Sequence, residues 1–342
     1  MINGNKHITI YEVAQALGVS ITTVSRALRD HHSIGKETIK RVKKKALEMG
    51  YEPNAIASGL RKKRTETIGV LVSYINRPFI SSLISGIEEV ANLNNYHVII
   101  TQTYDKYEKE IQNVKTLYNS RVDGLIVSLA METVNYAHFT PFLKQGYPLV
   151  FADRVAYELD TDKVLINNFE SAFEATSHLI EQGYKRIGHL AGAQHRHTYK
   201  RRFEGYLAAL ESKNLKVDES LIYYSKLNHD DGRNAAKFLL SLPEKPDAIF
   251  SANDTAAVGF MQYAEENGFS IPDKLGVVGF NNDPISSLIK PKLTTMDHPA
   301  IEIGKKAAEL ILDKLSGKSQ TTIPHTVIFK TKLIVRESSI KK

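Results

Sequence analysis

The period of the hydrophobic pattern changes near residue 65. Before this point, apolar residues recur three and four positions apart, as amphipathic helices require. After it, short apolar runs such as 68–72 alternate with longer amphipathic segments such as 80–93. That alternation is typical of parallel sheets covered by helices. We therefore predict a helical domain over residues 1–52, a linker over 53–64 and an α/β body over 65–342.

Capping signals divide the helical domain into short helices. Thr9 and Glu12 form a capping box at the start of the first helix, which Gly18 ends. Ser20 is placed to cap a second helix over 21–28. Two short helices joined by a three-residue turn are typical of a helix-turn-helix motif.

A third helix is expected over 36–49, with Gly50 as its left-handed cap. The apolar residues expected on its one buried face are Ile39, Val42, Ala46 and Leu47. The three helices together form an all-α helix-turn-helix headpiece.

The positive charge of the chain is concentrated in the headpiece and the linker. The whole chain has a net charge of +7. Residues 1–64 hold 13 lysine and arginine residues against 5 acidic ones, whereas residues 65–342 hold 32 against 33. A small basic module on a nearly neutral body is the electrostatic signature of a protein that binds a polyanion.

The exposed side of the second helix carries side chains that are suited to reading DNA. The residues expected on that side are Ile21, Thr22, Ser25, Arg26 and Arg29. The first turn of such a helix enters the major groove, where Arg26 is suited to a bidentate contact with guanine and Ile21 to a thymine methyl group. Thr23 and Tyr11 are better suited to phosphates. The alternative is a merely solvated polar face, which the turn, the capping box and the charge together disfavour.

The linker contains a segment that is too short to be a stable helix by itself. Asn54 is placed to cap residues 55–60, and Ile56, Ala57 and Leu60 lie on one side of that segment. We expect it to fold only against its dimer mate and DNA, where Leu60 would enter the minor groove and kink a base step. In the free protein, the alternative of a flexible basic linker is expected to hold.

Residues 8–28, ITIYEVAQALGVSITTVSRAL, resemble the DNA-binding segment of the lac/gal repressor family, and so do residues 50–54, GYEPN, with the alanine-rich stretch after them. The resemblance implies a dimeric repressor that reads a short palindrome in double-stranded DNA. It also implies base contacts from Ile21, Thr22 and Arg26, and a minor-groove wedge at Leu60. The full set of predicted DNA-binding residues is Thr9, Tyr11, Ser20, Ile21, Thr22, Thr23, Ser25, Arg26, Tyr51, Asn54, Ala57 and Leu60.

The body contains too many strands for one doubly wound sheet. Ten or so apolar runs alternate with helices in two groups, and two lobes with a cleft between them are the simplest arrangement. RFEGY at 202–206 and GVVGF at 276–280 resemble the periplasmic-binding-protein-like core of the same family. The resemblance implies two doubly wound parallel sheets and three chain crossings, which we place near 165, 296 and 325. The N-lobe would then hold about 65–165 and 297–325, and the C-lobe about 166–296 and 326–342.

Candidate ligand residues follow the ends of the predicted strands, where open α/β sheets bind their ligands. They are Phe79, Asp153, Arg196, Thr198, Arg202, Asn253 and Asn281. An aromatic ring, carboxylates, amides and arginine suit a ligand with many hydroxyl groups. Phe79, Asp153, Arg202 and Asn253 match effector positions of the family, whereas Asn281 stands where an aspartate is usual. The resemblance implies a small-molecule effector, most often a sugar or a sugar derivative.

Other classes of site have little support. The chain has no cysteine and no apolar run long enough to span a membrane, and its first residues carry no secretory signal, so we expect a cytoplasmic protein without a membrane partner. No phosphate-loop, dinucleotide or hydrolase motif occurs, and no catalytic residue or cofactor is predicted. His189, His195 and His197 lack a suitably spaced carboxylate, so no metal site is predicted either.

The sequence therefore predicts a DNA-binding transcriptional regulator, most simply a repressor, that acts as a homodimer and responds to a small molecule. The alternative is a solute-binding protein or a sugar-processing enzyme on the same two-lobed fold. A transport receptor requires export and an enzyme requires a nucleophile with its base, and neither is evident.

Overall fold

The computed structural model describes residues 8–51, 64–318 and 323–341, and it divides into two units between Thr65 and Glu66. The predicted linker helix, with Asn54, Ala57 and Leu60, lies outside the described residues. None of the described helices has the length and apolar character needed to cross a membrane.

The smaller unit is a bundle of three helices, α1 (Ile10–Leu17), α2 (Ile21–Ala27) and α3 (Lys36–Glu48). The predicted capping box is present, because the Thr9 backbone N–H donates to the Glu12 carboxylate at 2.7 Å and the Glu12 N–H donates to Thr9 Oγ1 at 3.4 Å. Gly18 ends α1 with a φ of 62°, and Gly50 follows α3 with a φ of 66°. The buried core of the unit consists of Val13, Ala14, Val24, Ala27, Val42 and Ala46.

Two residues of this unit do not lie where the helical pattern placed them. Ser25 is buried, with its hydroxyl accepting a hydrogen bond from Arg29 Nη2 at 2.7 Å, so it does not belong to the exposed face of α2. Leu47 is 83% exposed, because the buried face of α3 is centred on Val42 and Ala46 and the next position along the helix turns outward.

The larger unit contains twelve described strands. They are β1 (Thr67–Val72), β2 (His97–Gln102), β3 (Gly124–Val127), β4 (Leu149–Ala152), β5 (Asp162–Ile166), β6 (Ile187–Ala191), β7 (Ile222–Tyr224), β8 (Ala248–Ser251), β9 (Gly276–Asn281), β10 (Thr294–Asp297), β11 (Thr326–Phe329) and β12 (Lys332–Ile334). The N-lobe sheet has the order β11-β5-β4-β3-β1-β2, and the C-lobe sheet has the order β12-β10-β9-β8-β6-β7. All described pairs are parallel except β10 with β12, so the two sheets are parallel, as predicted, apart from the antiparallel edge strand β12.

Helices alternate with these strands along the chain. They are α4 (Pro78–Leu93), α5 (Tyr107–Asn119), α6 (Thr140–Lys144), α7 (Asn168–Glu181), α8 (His197–Ser212), α9 (His229–Leu239), α10 (Asp254–Glu266), α11 (Ile285–Leu288) and α12 (Ala300–Ser316). In the sheets, the central strands β1, β3, β4, β8 and β9 are almost entirely buried, as the unbroken apolar runs predict.

The chain passes between the lobes three times. It crosses after β5 at residue 167, between β10 and α12 at residues 298–299, and between β11 and β12 at residues 330–331. The third crossing was expected near 325, which is wrong because β11 pairs with β5 and extends the N-lobe sheet to Phe329.

Helices α4 and α12 approach each other closely through two glycines. A Cβ atom on Gly86 would lie 2.1 Å from the carbonyl oxygen of Ile301, and one on Gly304 would lie 2.1 Å from the carbonyl oxygen of Leu83. The two backbones are therefore in direct contact, and neither position has room for a side chain.

We predict that Gly86→Ala destabilises the larger unit by about 1–3 kcal/mol, since the helices must move apart to admit the methyl group. Urea unfolding followed by circular dichroism measures this change. Ser85→Ala, at the exposed neighbouring position on the same helix, is the matched control. Equal free energies of unfolding for the two variants would contradict the close packing.

Candidate functional site

A cavity of about 130 Å³ lies between the two lobes, at the carboxyl ends of strands from both sheets. Six of the seven predicted ligand residues line it: Phe79, Asp153, Thr198, Arg202, Asn253 and Asn281. The first two belong to the N-lobe and the other four to the C-lobe. The arrangement matches the general rule that open α/β sheets bind ligands beyond the carboxyl ends of their strands.

Arg202 is the buried cation of this cavity. Its Nε donates to Asn168 Oδ1 at 2.8 Å, and its Nη1 donates to the carbonyl oxygen of Ala252 at 2.7 Å. Its guanidinium lies over the Phe280 ring, 3.5 Å from the ring centroid. Burial lowers the pKa of Arg202 to about 10, so the group stays charged at neutral pH. Among the described residues no partner is found for Nη2, which leaves this donor available to a ligand.

Asp153 supplies an acceptor on the opposite wall. The residue has a φ of 65° directly after β4, and its carboxylate is 9% exposed. The described residues donate no hydrogen bond to that carboxylate. Burial raises its pKa, while the charges of Arg154 and Arg202 act in the opposite direction. A buried carboxylate without a donor is costly, and a ligand hydroxyl group would remove that cost.

His298 lies at the second crossing between the lobes and was not predicted from the sequence. Its ring stacks on Phe79 with centroids 4.2 Å apart, and its Nε2 lies 3.8 Å from Asp153 Oδ1, beyond hydrogen-bonding distance. Neither ring nitrogen has a hydrogen-bond partner among the described residues, although the side chain is buried. Burial, with the charge of Arg202, holds the pKa of His298 well below its usual value, so the ring is neutral. A histidine directly after a strand at a lobe crossing is the signal that could have revealed it.

Three other predicted residues line the cavity, but part of their hydrogen-bonding capacity is used within the protein. Asn253 caps α10, with its Oδ1 accepting from the Ala256 N–H at 2.9 Å and its Nδ2 donating to the carbonyl oxygen of Leu227 at 2.9 Å. Thr198 Oγ1 donates to the carbonyl oxygen of Asp153 at 3.4 Å, which joins the two lobes. Asn281 has a φ of 116°, and its side chain lies close enough to the Asp283 carboxylate to lower the pKa of that group.

Arg196 does not line the cavity, contrary to the prediction. Its Nε donates to the carbonyl oxygen of Met131 at 3.0 Å, and His195 Nε2 lies 2.7 Å from the same oxygen. Both residues precede α8 in the C-lobe, whereas Met131 belongs to the N-lobe. Arg196 therefore holds the lobes together beside the cavity, because the start of α8 directs its side chain across the cleft.

A second arginine, Arg154, also escaped prediction although it is adjacent to Asp153. It lines the cavity and donates to Asp105 Oδ1 at 2.6 Å and to the carbonyl oxygen of Leu129 at 3.3 Å. Arg77 lies 3.5 Å from the other oxygen of the same carboxylate. Arg77 and Arg154 therefore share the single carboxylate of Asp105 within the N-lobe.

The headpiece presents a separate surface on α2. Tyr11, Ile21, Thr22 and Arg26 are exposed, and the Arg26 guanidinium makes no hydrogen bond to the described residues. Thr9 and Ser20 cap α1 and α2, and the Thr23 hydroxyl lies 2.8 Å from Ser20 Oγ. Tyr51 packs partly against the core of the headpiece. Of the predicted DNA-binding residues that are described, Ser25 is buried and Thr23 and Tyr51 are half-buried. The exposed ones on α2, namely Ile21, Thr22 and Arg26, make up the predicted reading face.

The three histidines considered as a metal cluster have different environments. His189 is buried in an aromatic stack with Phe250 and Tyr206, and burial lowers its pKa to about 4. His195 contacts Met131, and His197 stacks on Tyr157. Across the described residues, no group of three metal-ligating side chains is close enough to hold an ion.

Two family profiles match this chain. Residues 9–54 match the profile of bacterial regulatory proteins of the lacI family, and residues 176–339 match that of a periplasmic binding protein-like domain. The NTD biosynthesis operon regulator NtdR of Bacillus subtilis is 35% identical over 97% of this chain and 99% of its own length. Catabolite control protein A of Priestia megaterium is 31% identical over 95% of this chain and 98% of its own length.

Solved structures show the same architecture. The regulator CelR in complex with cellobiose has a TM-score of 0.73 at 27% identity and covers 97% of this chain and 100% of its own. A regulator of Enterococcus faecium with bound ribose has a TM-score of 0.71 at 27% identity, over 80% of this chain and 98% of its own. The lac repressor dimer bound to operator and the anti-inducer ONPF has a TM-score of 0.86 at 22% identity, and it covers 98% of this chain and 100% of its own. At this identity the similarity supports the fold alone.

These relatives are transcriptional regulators and not enzymes. The chain therefore belongs to the lacI family of bacterial regulatory proteins and is a DNA-binding transcriptional regulator with a periplasmic-binding-protein-like core.

Proposed function

We propose that this regulator is a repressor that binds a palindromic operator as a homodimer, and that a sugar or a sugar derivative in the cleft controls its operator affinity. The observation that carries the ligand half is His298, which lines the cavity and has two buried ring nitrogens without a partner among the described residues, beside the buried side chains of Arg202 and Asp153. As a repressor it would act in the cytoplasm, where its operator is.

The DNA half of the proposal rests on the exposed face of α2. The Arg26 guanidinium makes no hydrogen bond to another described residue, and Ile21 and Thr22 lie one turn earlier on the same helix. A free guanidinium on a helix of this motif is suited to the O6 and N7 atoms of one guanine. Tyr11 on α1, 67% exposed, is placed to contact the DNA backbone, as Thr23 and Tyr51 would be on either side.

The sugar class follows from the chemistry of the cavity. Donors and acceptors alternate around it, with Arg202 as donor, Asp153 as acceptor and neutral His298 as both. The Phe79 ring offers an apolar face, which suits the C–H face of a pyranose or furanose ring. Two relatives of the same architecture, described above, hold cellobiose and ribose, which supports this class.

Control of DNA binding follows from the two-sided construction of the cavity. Phe79 and Asp153 come from the N-lobe and Arg202 and Asn281 from the C-lobe, so one ligand contacts both lobes at once. Such a ligand favours the angle between the lobes at which its contacts are complete. It changes operator affinity only as far as it binds differently to the two arrangements of the lobes.

We predict that Arg26→Ala relaxes specificity at one base pair of each half-site by about 1–3 kcal/mol, because a guanine contact is lost. Gel-shift titrations against an operator and its single-base variants measure this loss. Lys44→Ala, at an exposed position on α3, removes the same charge outside the reading face and is the control. If Arg26→Ala weakened binding to all sequences equally, Arg26 would contact only phosphate.

We predict that Arg202→Ala abolishes the response to ligand while operator binding by the unliganded protein persists. Arg202→Ala leaves a buried void that could prevent folding. Asp153→Asn, which preserves the size of the side chain, is therefore the second variant. Arg201→Ala, the exposed neighbour that pairs with Glu204, is the control. Calorimetric titration with the sugars that stabilise the wild-type protein gives the result, and ligand affinity unchanged in both cleft variants would remove these residues from the site.

A further inference from the structure

A second, more open cavity of about 320 Å³ adjoins the cleft. Five residues line both cavities and form the wall between them: Pro78, Phe79, Asn281, Asp283 and His298. The second cavity, here called the outer cavity, extends along the start of α12.

Charge is distributed unequally between the two cavities. The cleft is lined by three arginines, Arg77, Arg154 and Arg202. The outer cavity is lined by three carboxylates, Asp283, Asp297 and Glu302, and by no lysine or arginine among the described residues. Two cations lie near this cavity: Lys305 pairs with Glu89 at 2.8 Å, and Arg336 donates at 2.7 Å to Oδ1 of Asn282, which itself lines the outer cavity. Carboxylates are the only charged side chains among the described residues that line the outer cavity, whereas arginines and carboxylates together line the cleft.

His298 is a buried polar side chain of the shared wall that lacks a hydrogen-bond partner among the described residues. It is 4% exposed, it lines both cavities, and neither of its ring nitrogens has a partner among the described residues. Asp283, also 4% exposed, faces both cavities, and burial raises its pKa only to about 6, so it is mostly ionised at neutral pH.

We propose that the outer cavity binds a protonated amino group of the effector, so that the effector is an amine-bearing sugar that spans both cavities. This inference rests on the proposed function, because it assumes a sugar in the cleft. Carboxylates only accept hydrogen bonds, and an ammonium group supplies three donors and the compensating charge. A metal ion does not fit, since no three of the described ligating groups come close enough to share one. Asp297 Oδ1 already accepts a hydrogen bond from Asn282 Nδ2 at 2.9 Å, and Glu302 is exposed. An ammonium group would add the positive charge that a neutral sugar lacks.

The test compares sugars that differ only at the amine position. Glucose, glucosamine and N-acetylglucosamine form one matched triplet, and cellobiose, chitobiose and N,N′-diacetylchitobiose form another that is long enough to reach the outer cavity. Calorimetric titration of the full-length protein gives the affinities. We expect an amine member to bind about tenfold more tightly than its hydroxyl and acetamide twins, as a charge-assisted hydrogen bond provides.

Variants locate the effect in the outer cavity. Asp297→Asn and Glu302→Gln should each reduce the preference for the amine severalfold, whereas Glu309→Gln, two turns further along α12, should leave it unchanged. Three results would each overturn the inference. In the first, a hydroxyl or acetamide sugar binds as tightly as its amine counterpart, and in the second, no amine binds. In the third, the preference for the amine survives both variants. If neutral sugars bind and alter operator affinity in such an outcome, the proposed function stands without it.

Discussion

The proposed ligand site depends on a guanidinium that is buried where two lobes meet. Arg202 retains its charge because two oxygen atoms, the carboxamide of Asn168 and the carbonyl of Ala252, accept its hydrogen bonds and the Phe280 ring lies beneath it. All three contacts lie within the C-lobe or at its edge, so the group is held in place whether or not the lobes are joined by a ligand. The structure also fixes the Asp153 carboxylate and the neutral His298 ring in the same cavity. A ligand that binds there would therefore lose little affinity to the ordering of side chains.

The two lobes are joined by three chain crossings and by a few direct contacts beside the cavity. Met131 of the N-lobe receives hydrogen bonds from Arg196 and lies close to His195 of the C-lobe, and Thr198 reaches the carbonyl oxygen of Asp153. One apolar cluster is continuous across the two lobes and includes Val72 of the N-lobe and Phe280 of the C-lobe, whereas two further clusters lie mainly in one lobe each. A ligand in the cleft would contact both lobes and so favour one angle between them.

Much of the fold followed from the sequence because local signals determined it. The capping box at Thr9 and the left-handed Gly18 depend on neighbours a few residues away, and the buried strands read as unbroken apolar runs. The expectations that were wrong depend on distant partners. Arg196 is next to a helix start, and only the position of Met131 across the cleft directs it away from the cavity. His298 acquires its role from Phe79, more than two hundred residues earlier, and the limit of the N-lobe at Phe329 depends on pairing with β5.

The central claim, that a sugar in the cleft and an operator on the headpiece act on one equilibrium, requires the coupling to be reciprocal. The direct measurement is the Kd of the tightest-binding sugar, determined by calorimetry with and without saturating operator DNA. We expect saturating operator DNA to change the Kd for the sugar by a certain factor. The sugar should change the Kd for operator DNA by the same factor. A sugar affinity that is identical in the presence and absence of operator, measured with a sugar that alters operator binding, would contradict it.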